Sequence, residues 1–389
     1  MIMNDNLIKK IEFLPINIPA NNWSQNTCIV KVTDEAGRYG IGEADGDPDV
    51  VAAFANAQPQ HKWWQKLADV LIGRDPIEFD ANWDLMYEAT RWIGMRGFGL
   101  FVISGIDMAL YDLAGKQHNV PAYKLMGGAF RDKVTPYFTL YPDCPTDADP
   151  DTALAAYKPL FEKAKEKKVK AVKVCLMQDA VMTKEQVVYY LRECRKMLGD
   201  DIDMMIDPLY RWTDWEEVKW ILNKLEDIDL YFAEATLPHD DMEGHRKLSQ
   251  AVKTRICGME MGAGRFEAEQ WLKYSGVSII QPDYNRCGGL TELRRISHMA
   301  EQYNVQVSPH HWKTGITAAA ARHFHINNKY TKYVEYLHPD FYDGSLRKYL
   351  TTNEAPIVDG YLEKPTLPGL GIDINREFYK EVTGKDFDD

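Results

Sequence analysis

Three acidic residues close three short apolar runs at nearly constant spacing. DMMID ends at Asp207, LYFAE at Glu234 and RICGME at Glu260, with gaps of 27 and 26 residues. The beat continues through IIQPD to Asp283 and VQVSPH to His310, with gaps of 23 and 27. Each run is followed by a polar stretch of helical character, which is the rhythm of successive strand–helix units in a parallel barrel. The ends of consecutive parallel strands lie side by side on one rim, where barrels of this kind build their sites. A single acid at a strand end reads equally well as the N-cap of the next helix. Five polar residues on one beat are poorly accounted for in that way.

At 389 residues the chain is long enough for one large domain and a smaller one. Its net charge of −12 argues against nucleic acid or an anionic membrane as partner. A negatively charged small molecule would therefore need a local metal ion or lysine. The six cysteines are scattered and form no CxxC pair, which suits reduced thiols rather than a disulfide framework. MIMNDNLIKK lacks the apolar core of a signal peptide, and no uninterrupted membrane-length apolar run is present. The expectation is a cytoplasmic protein.

The first part of the chain does not share the beat. Residues 7–17, 27–34 and 38–43 alternate as strands, with Asp34-Glu35-Ala36-Gly37 as the turn between the last two. A helix is expected from about Phe101 to Gln117, where Ile103, Ile106, Ala109, Leu110 and Leu113 recur at helical spacing before Pro121 stops it. Antiparallel strands followed by helices indicate an α+β domain over residues 1–132. Eight strand-like runs follow, at about 134–140, 170–176, 202–207, 229–234, 255–260, 277–283, 304–309 and 332–335. Eight strands with intervening helices close a (β/α)₈ barrel, here assigned to 133–350. The remainder, 351–389, opens with the Pro- and Gly-rich APIVDGYLEKPTLPGLGI and is expected to lack regular helix.

Asp207, Glu234 and Glu260 are candidate metal ligands. Three hard oxygen donors without thiol or imidazole favour Mg²⁺, one per site. Lys173, inside the run AVKVCL, is oddly placed unless it points into the barrel mouth, where it would help to hold an anionic group. Asp283 and His310 sit on adjacent strands, and a carboxylate holding one imidazole nitrogen raises the basicity of the other. His311 faces the opposite way if the strand is regular. Glu335 ends KYVE and either bonds a substrate carboxylate or caps a loop.

These residues resemble those of the enolase superfamily, in its mandelate racemase and muconate-lactonizing branch, and the similarity spans nearly the whole chain. ISGIDMALYDLAGKQHNVPAYKLMGG resembles the close of that family's capping domain, PDYNRCGGLTE its dyad-aspartate segment, and VSPH its histidine. The resemblance implies a TIM-like barrel with an N-terminal α+β capping domain completed by the C-terminal segment, Mg²⁺ on Asp207, Glu234 and Glu260, and an Asp283–His310 dyad. One departure matters: the family's Lys-x-Lys reads Lys173-Val174-Cys175 here, so Cys175 replaces the opposite-face base of the racemases. The strand-four motif also departs, as Ala-Glu-Ala-Thr-Leu-Pro.

Members of that family with a single Asp–His base are mostly dehydratases of sugar acids, and the resemblance implies the same here. His310 would take the proton beside the carboxylate, Lys173 would stabilise the enediolate, and loss of water would give a 2-keto-3-deoxy acid. The runner-up is a cycloisomerase acting on a sugar lactone or anhydro-sugar acid. Behind it stand an epimerase or racemase with Cys175 or Tyr210 as opposite-face acid, and an inactive sugar-acid binder. Candidate substrate contacts are Trp23, Asn21 and Asn22, the segment around Gly46-Asp47, and Tyr210 with Arg211. The partner expected is a small sugar acid or its lactone, and the resemblance implies a symmetric homo-oligomer.

Overall fold

A computed structural model describes residues 5–18, 25–59, 65–178 and 181–388. Strands β1 (Ile8–Asn17), β2 (Asn26–Asp34) and β3 (Tyr39–Ala44) form an antiparallel sheet in that order. The turn after Asp34 is closed by Gly37 N donating to Asp34 O, and Gly37 has the positive φ (+81°) that glycine supplies at little cost. Helices α1 (Pro48–Asn56), α2 (Phe79–Ala89), α3 (Phe98–Gln117) and α4 (Ala122–Leu125) follow. The central one, α3, begins three residues before the sequence estimate and is buried almost all round. It is the one described helix long and apolar enough to cross a membrane, but here it is a core helix. It lies so close to β3 that a Cβ on Gly42 would stand 2.0 Å from Gly105 O, so only glycine fits there.

The second sheet is the barrel wall. Strands β4 (Lys133–Leu140), β5 (Ala171–Cys175), β6 (Asp203–Asp207), β7 (Leu230–Glu234), β8 (Ile256–Gly258), β9 (Ile279–Ile280) and β10 (Gln306–Val307) run parallel in sequence order, and β11 (Tyr333–Glu335) pairs back onto β4. Helices α5 (Pro150–Glu166), α6 (Lys184–Leu198), α7 (Trp215–Lys224), α8 (Met242–Ala251), α9 (Gly264–Tyr274), α10 (Gly289–Gln302) and α11 (Gly315–Asn327) lie between them. The N-cap of α6 is a capping box, Thr183 and Gln186 each bonding the other's backbone N–H. The last barrel strands are shorter than the apolar runs suggest. Glu260, Asp283 and His310 therefore stand two or three residues beyond the strands, in the loops that follow. Apolar sequence reports burial, whereas a ladder also needs a neighbour's N–H and C=O in register.

The C-terminal part corrects one expectation. Beyond α12 (Ser345–Tyr349), which still falls within 133–350, it carries an antiparallel pair β12 (Ile357–Val358) and β13 (Tyr361–Glu363) whose second strand joins β4, and a helix α13 (Arg376–Thr383). Helix α13 lies beyond the Pro- and Gly-rich stretch, capped by Asn375 and ended by Gly384 at φ +70°. The segment packs on the first sheet. Lys31 Nζ donates to Phe387 O (2.7 Å), Tyr39 Oη donates to Asp373 Oδ1 (2.7 Å), and the Phe387 ring meets Tyr39 edge-on.

Buried acids from the capping helices and sheet seat on barrel helix N-termini, where orphan N–H groups and the helix dipole favour negative charge. Glu43 accepts from the hydroxyls and amides of Thr314 and Thr317 at the start of α11. Asp107 accepts from Thr291 N (2.9 Å) and Oγ1 (2.6 Å) in α10.

His323 joins the same boundary: its Nδ1 accepts from Tyr123 N (3.1 Å) and its Nε2–H donates to Leu370 O (3.2 Å), so the ring must be neutral. Burial holds both His323 and His325 down at about 3, against an ordinary 6.5. The unfolded chain takes up these protons below about 6.5 while the folded chain does not. Stability from this source is complete above that pH and falls by about 1.4 kcal/mol per pH unit and per histidine as the pH drops toward 3. The urea midpoint should decline from about pH 7 to about pH 5, and His323→Gln should flatten that decline. An unchanged slope in the variant would contradict this account.

Candidate functional site

The barrel is plugged by one apolar layer: Tyr137, Ala171, Met205, Phe232, Cys257, Ile279 and Tyr333, one residue from each of seven strands. Side chains two residues apart on a strand share a face. The next inward positions are therefore Thr139, Lys173, Asp207, Glu234, Gln281 and Glu335, a polar layer directly above the plug. On β8 the alternation is broken. Met259 takes a left-handed backbone (φ +87°), and Glu260 rather than Met259 joins the others.

Lys173 is the hub of this layer, 1% exposed. Its Nζ lies 2.8 Å from Glu234 Oε1, 2.9 Å from Glu335 Oε1 and 3.4 Å from Asp207 Oδ2. Thr139 Oγ1 donates to Glu335 Oε1 (2.6 Å), and Gln281 Nε2 donates to Glu234 Oε2 (2.5 Å). Asp207 Oδ1 accepts from Leu209 N (2.8 Å).

His310 Nδ1–H donates to Asp283 Oδ2 at 2.5 Å, leaving Nε2 directed at Glu260 Oε2, 3.4 Å away. His311 turns the other way: its Nδ1 lies 3.2 Å from Glu335 O, and its backbone N–H donates to Glu335 Oε2 (3.1 Å). Both carboxylate oxygens of Glu335 are thus engaged within the protein.

The electrostatics follow from crowding. Burial, reinforced by Asp207, Glu335 and Glu260, pushes Glu234 up to about 8 in spite of Lys173. Burial and Glu260 likewise raise Asp207 against the pull of Lys173. Burial would lower Lys173, but Glu234 and Glu335 outweigh it and hold the ammonium well above its ordinary range. Burial would also lower His310, yet Glu260, Asp283 and Glu335 raise it to about 9. Glu335 is held down to about 2, since Lys173 and His310 outweigh its burial.

Five carboxylates thus face one ammonium and one imidazole. Such a cluster lacks positive charge, and its hard oxygen donors fit a divalent cation such as Mg²⁺ in both charge and chemistry. Among the described residues no three acid, histidine or cysteine side chains are already gathered at ligand distance. Asp207 and Glu234 instead spend their oxygens on Lys173, Gln281 and the Leu209 amide.

Cys175 is fully buried at the end of β5, beside Asp207 in register. Burial and Asp207 raise its thiol well above the ordinary range, and Tyr141 hydrogen-bonds it. It is a neutral thiol. Tyr210 follows two unusual backbone turns, with Leu209 and Tyr210 both left-handed (φ +55° and +59°), and its N–H donates to Ala235 O (2.7 Å). Arg211 is held by the Met177 and Pro208 carbonyls. Asp47 is the N-cap of α1, accepting from Asp49 N and Val50 N. Asn21, Asn22 and Trp23 lie outside the described residues.

Sequence reasoning overlooked Thr139 and Gln281, which period-two counting from Glu335 and Glu234 could have reached. It also overlooked a clamp at the mouth. Asp45 of the small domain meets Arg286 Nε (2.5 Å) and Lys313 Nζ (2.7 Å), and Arg286 also approaches Glu260. No local pattern marks it, because its partners lie more than two hundred residues apart.

Residues 8–127 match the mandelate racemase / muconate lactonizing enzyme N-terminal domain, and residues 156–378 match the enolase C-terminal domain-like family. The chain belongs to the mandelate racemase and muconate lactonizing enzyme family. A crystal structure described only provisionally as a racemase is 57% identical, superposes with a TM-score of 0.94, and covers 98% of this chain and 99% of its own. The D-galactarolactone cycloisomerase of Agrobacterium fabrum is 28% identical over 91% of this chain and 90% of its own length. The D-galactonate dehydratase of Ralstonia pickettii is 30% identical over 89% and 88%. The family's architecture of an α/β barrel under an antiparallel capping domain is the one described above.

Proposed function

We propose that this family member removes the proton next to the carboxylate of a sugar acid and expels the hydroxyl on the following carbon, giving a 2-keto-3-deoxy acid. The observation that carries the reading is the Asp283–His310 pair, with its free imidazole nitrogen turned toward a layer of carboxylates built around Lys173. Asp283 accepts the Nδ1 proton and so fixes the tautomer; Glu260, the carboxylate that most raises His310, would be engaged by a bound cation, which would free Nε2 to accept the substrate proton. Lys173 offers a buried, permanently charged ammonium to the substrate carboxylate, where negative charge grows as the proton leaves. Glu335, itself bonded by Thr139, helps to hold that ammonium in place. The imidazolium then returns its proton to the departing hydroxyl, so one group serves both steps. Mg²⁺ held by Asp207, Glu234 and Glu260 would supply Lewis-acid stabilisation of the same developing charge.

A second reading, cycloisomerisation, is supported by the Agrobacterium fabrum relative, which resembles this chain about as closely as the dehydratase does. There the leaving group is a ring oxygen. The test is a screen of Mg²⁺-loaded protein against aldonic, uronic and aldaric acids and their lactones, following 2-keto acid and solvent deuterium together. Keto acid from open-chain acids supports dehydration, and keto acid only from lactones or anhydro acids transfers the assignment to the cycloisomerase. Deuterium uptake without keto acid overturns both in favour of epimerisation.

Cys175, as a neutral thiol, has no part in a single-base reaction. Cys175→Ala should keep turnover within about tenfold of the parent, whereas loss of a working acid or base costs about 10²–10⁴-fold. A loss in that larger range would give the thiol a chemical role.

A further inference from the structure

Neither member of the Asp283–His310 pair stands in the strand ladder. The pairing of β9 with β10 ends at Ile280 and Val307. Ser308 N then donates to Ile280 O (3.0 Å), two residues before His310 and three before Asp283. Beyond that point the sheet no longer fixes how far apart the two loops stand.

Three residues after each member of the pair comes a cation, Arg286 after Asp283 and Lys313 after His310. One carboxylate of the small domain holds both. Asp45 Oδ2 lies 2.5 Å from Arg286 Nε, and Asp45 Oδ1 lies 2.7 Å from Lys313 Nζ. None of the three side chains is more than 16% exposed. Burial would raise Asp45, but Lys313 and Arg286 outweigh it and hold its carboxyl well below the ordinary range, so the clamp is ionised. Arg286 and Asp283 share one turn, in which Cys287 N donates to Asp283 O (3.1 Å) and Asn285 N donates to Asp283 Oδ1 (2.6 Å). Two residues before Asp45, the small domain braces the same loops again. Glu43 O accepts from Asn285 Nδ2 (2.6 Å), and Glu43 Oε2 accepts from Thr314 Oγ1 (3.0 Å). A tie that merely fastened one domain to the other could fall anywhere on the rim. This one falls on the two loops that carry the pair.

We propose that Asp45 is a positioning residue for proton abstraction: by drawing Arg286 and Lys313 onto one carboxylate, it sets the spacing of the two loops and with it the Asp283–His310 hydrogen bond. The imidazole is aligned only while the small domain is seated. This role rests on the reading of His310 as the base, and it gives the small domain a part in the chemistry itself. A misplacement of about 1 Å in such an alignment costs about 10²-fold in rate.

The test follows the His310 Nδ1 proton by NMR in the full chain labelled with ¹⁵N-histidine, its signal being the one missing from His310→Asn. In Asp45→Asn and Lys313→Gln that signal should move upfield or be lost to exchange with solvent. In Asp45→Glu, which keeps the charge, it should return toward the parent position. Solvent deuterium exchange is measured alongside, with the acid that the Mg²⁺-loaded parent exchanges fastest in the screen above. Its kcat should fall about 10- to 100-fold in Asp45→Asn and Lys313→Gln at nearly unchanged KM, the pattern of an interaction lost in the transition state. A clamp that only fastens the domains would lower the melting temperature and leave signal and kcat at the parent's values in the folded variants, which overturns the proposal. So does a fall in Mg²⁺ affinity with the His310 signal in place, because Arg286 would then be acting through Glu260, which it approaches at 3.9 Å. Lys313→Gln keeps Asp45 paired with Arg286 and decides the matter where Asp45→Asn does not fold. Failure of the base assignment shows separately, as a signal that responds to the clamp in a protein whose His310→Asn variant still exchanges the substrate proton.

Discussion

His310→Asn should abolish exchange of the substrate proton with solvent deuterium, lowering its rate by about 10²–10⁴-fold, the usual worth of a positioned general base. Asn can still hydrogen-bond Asp283, so the loop after β10 has no reason to rearrange. Mg²⁺ affinity should survive, since the assigned ligands Asp207, Glu234 and Glu260 are untouched. The measurement pairs deuterium incorporation followed by NMR with calorimetric metal titration. Retained exchange would remove His310 from the mechanism, and loss of metal binding alongside activity would recast it as a structural support of Glu260, which it approaches at 3.4 Å.

Lys173→Met has the second large expected effect, and it reaches stability before chemistry. One ammonium sits among Glu234, Glu335 and Asp207 and offsets part of their charge in a site with almost no solvent contact. Methionine keeps most of the side-chain volume but leaves those carboxylates facing one another. Breaking a buried ion pair from one side costs about 3–5 kcal/mol, because the remaining charge is uncompensated. The metal-free variant should therefore melt well below the parent, and Mg²⁺ should restore a larger share of the melting temperature in the variant than in the parent. Equal melting temperatures without metal would show that protons, rather than Lys173, already neutralise the cluster.

Which parts of this molecule can be read from its sequence follows from how each is encoded. The beat of Asp207, Glu234 and Glu260 is visible because a parallel barrel repeats one physical unit, and each unit ends its apolar run at the same rim. The inward direction of Lys173 is visible because a lysine inside AVKVCL needs a polar reason to be there. Strands β8 to β10 were overestimated because the runs RICGME, IIQPD and VQVSPH are buried beyond the point where ladders stop. The left-handed residue at Met259, which puts Glu260 on the rim, has no sequence signal, since methionine is not a residue that favours such a backbone. The Asp45 clamp and the seats of Glu43 and Asp107 on helix N-termini join segments far apart in the chain. Helix α13 was hidden by proximity to a Pro- and Gly-rich stretch that ends just before it.

The pairing of Lys31 with the carbonyl of Phe387 spans 356 residues of chain. The small domain is thus stitched from segments on either side of the barrel in sequence, with the barrel threaded between them. At synthesis rates of about 5–20 residues per second, the first three strands wait roughly 20–70 s for the segment that covers them. During translation the barrel can close first, and the lid over its mouth is the last piece to be fastened. Lesions near the carboxyl end should therefore loosen the small domain before they disturb the barrel.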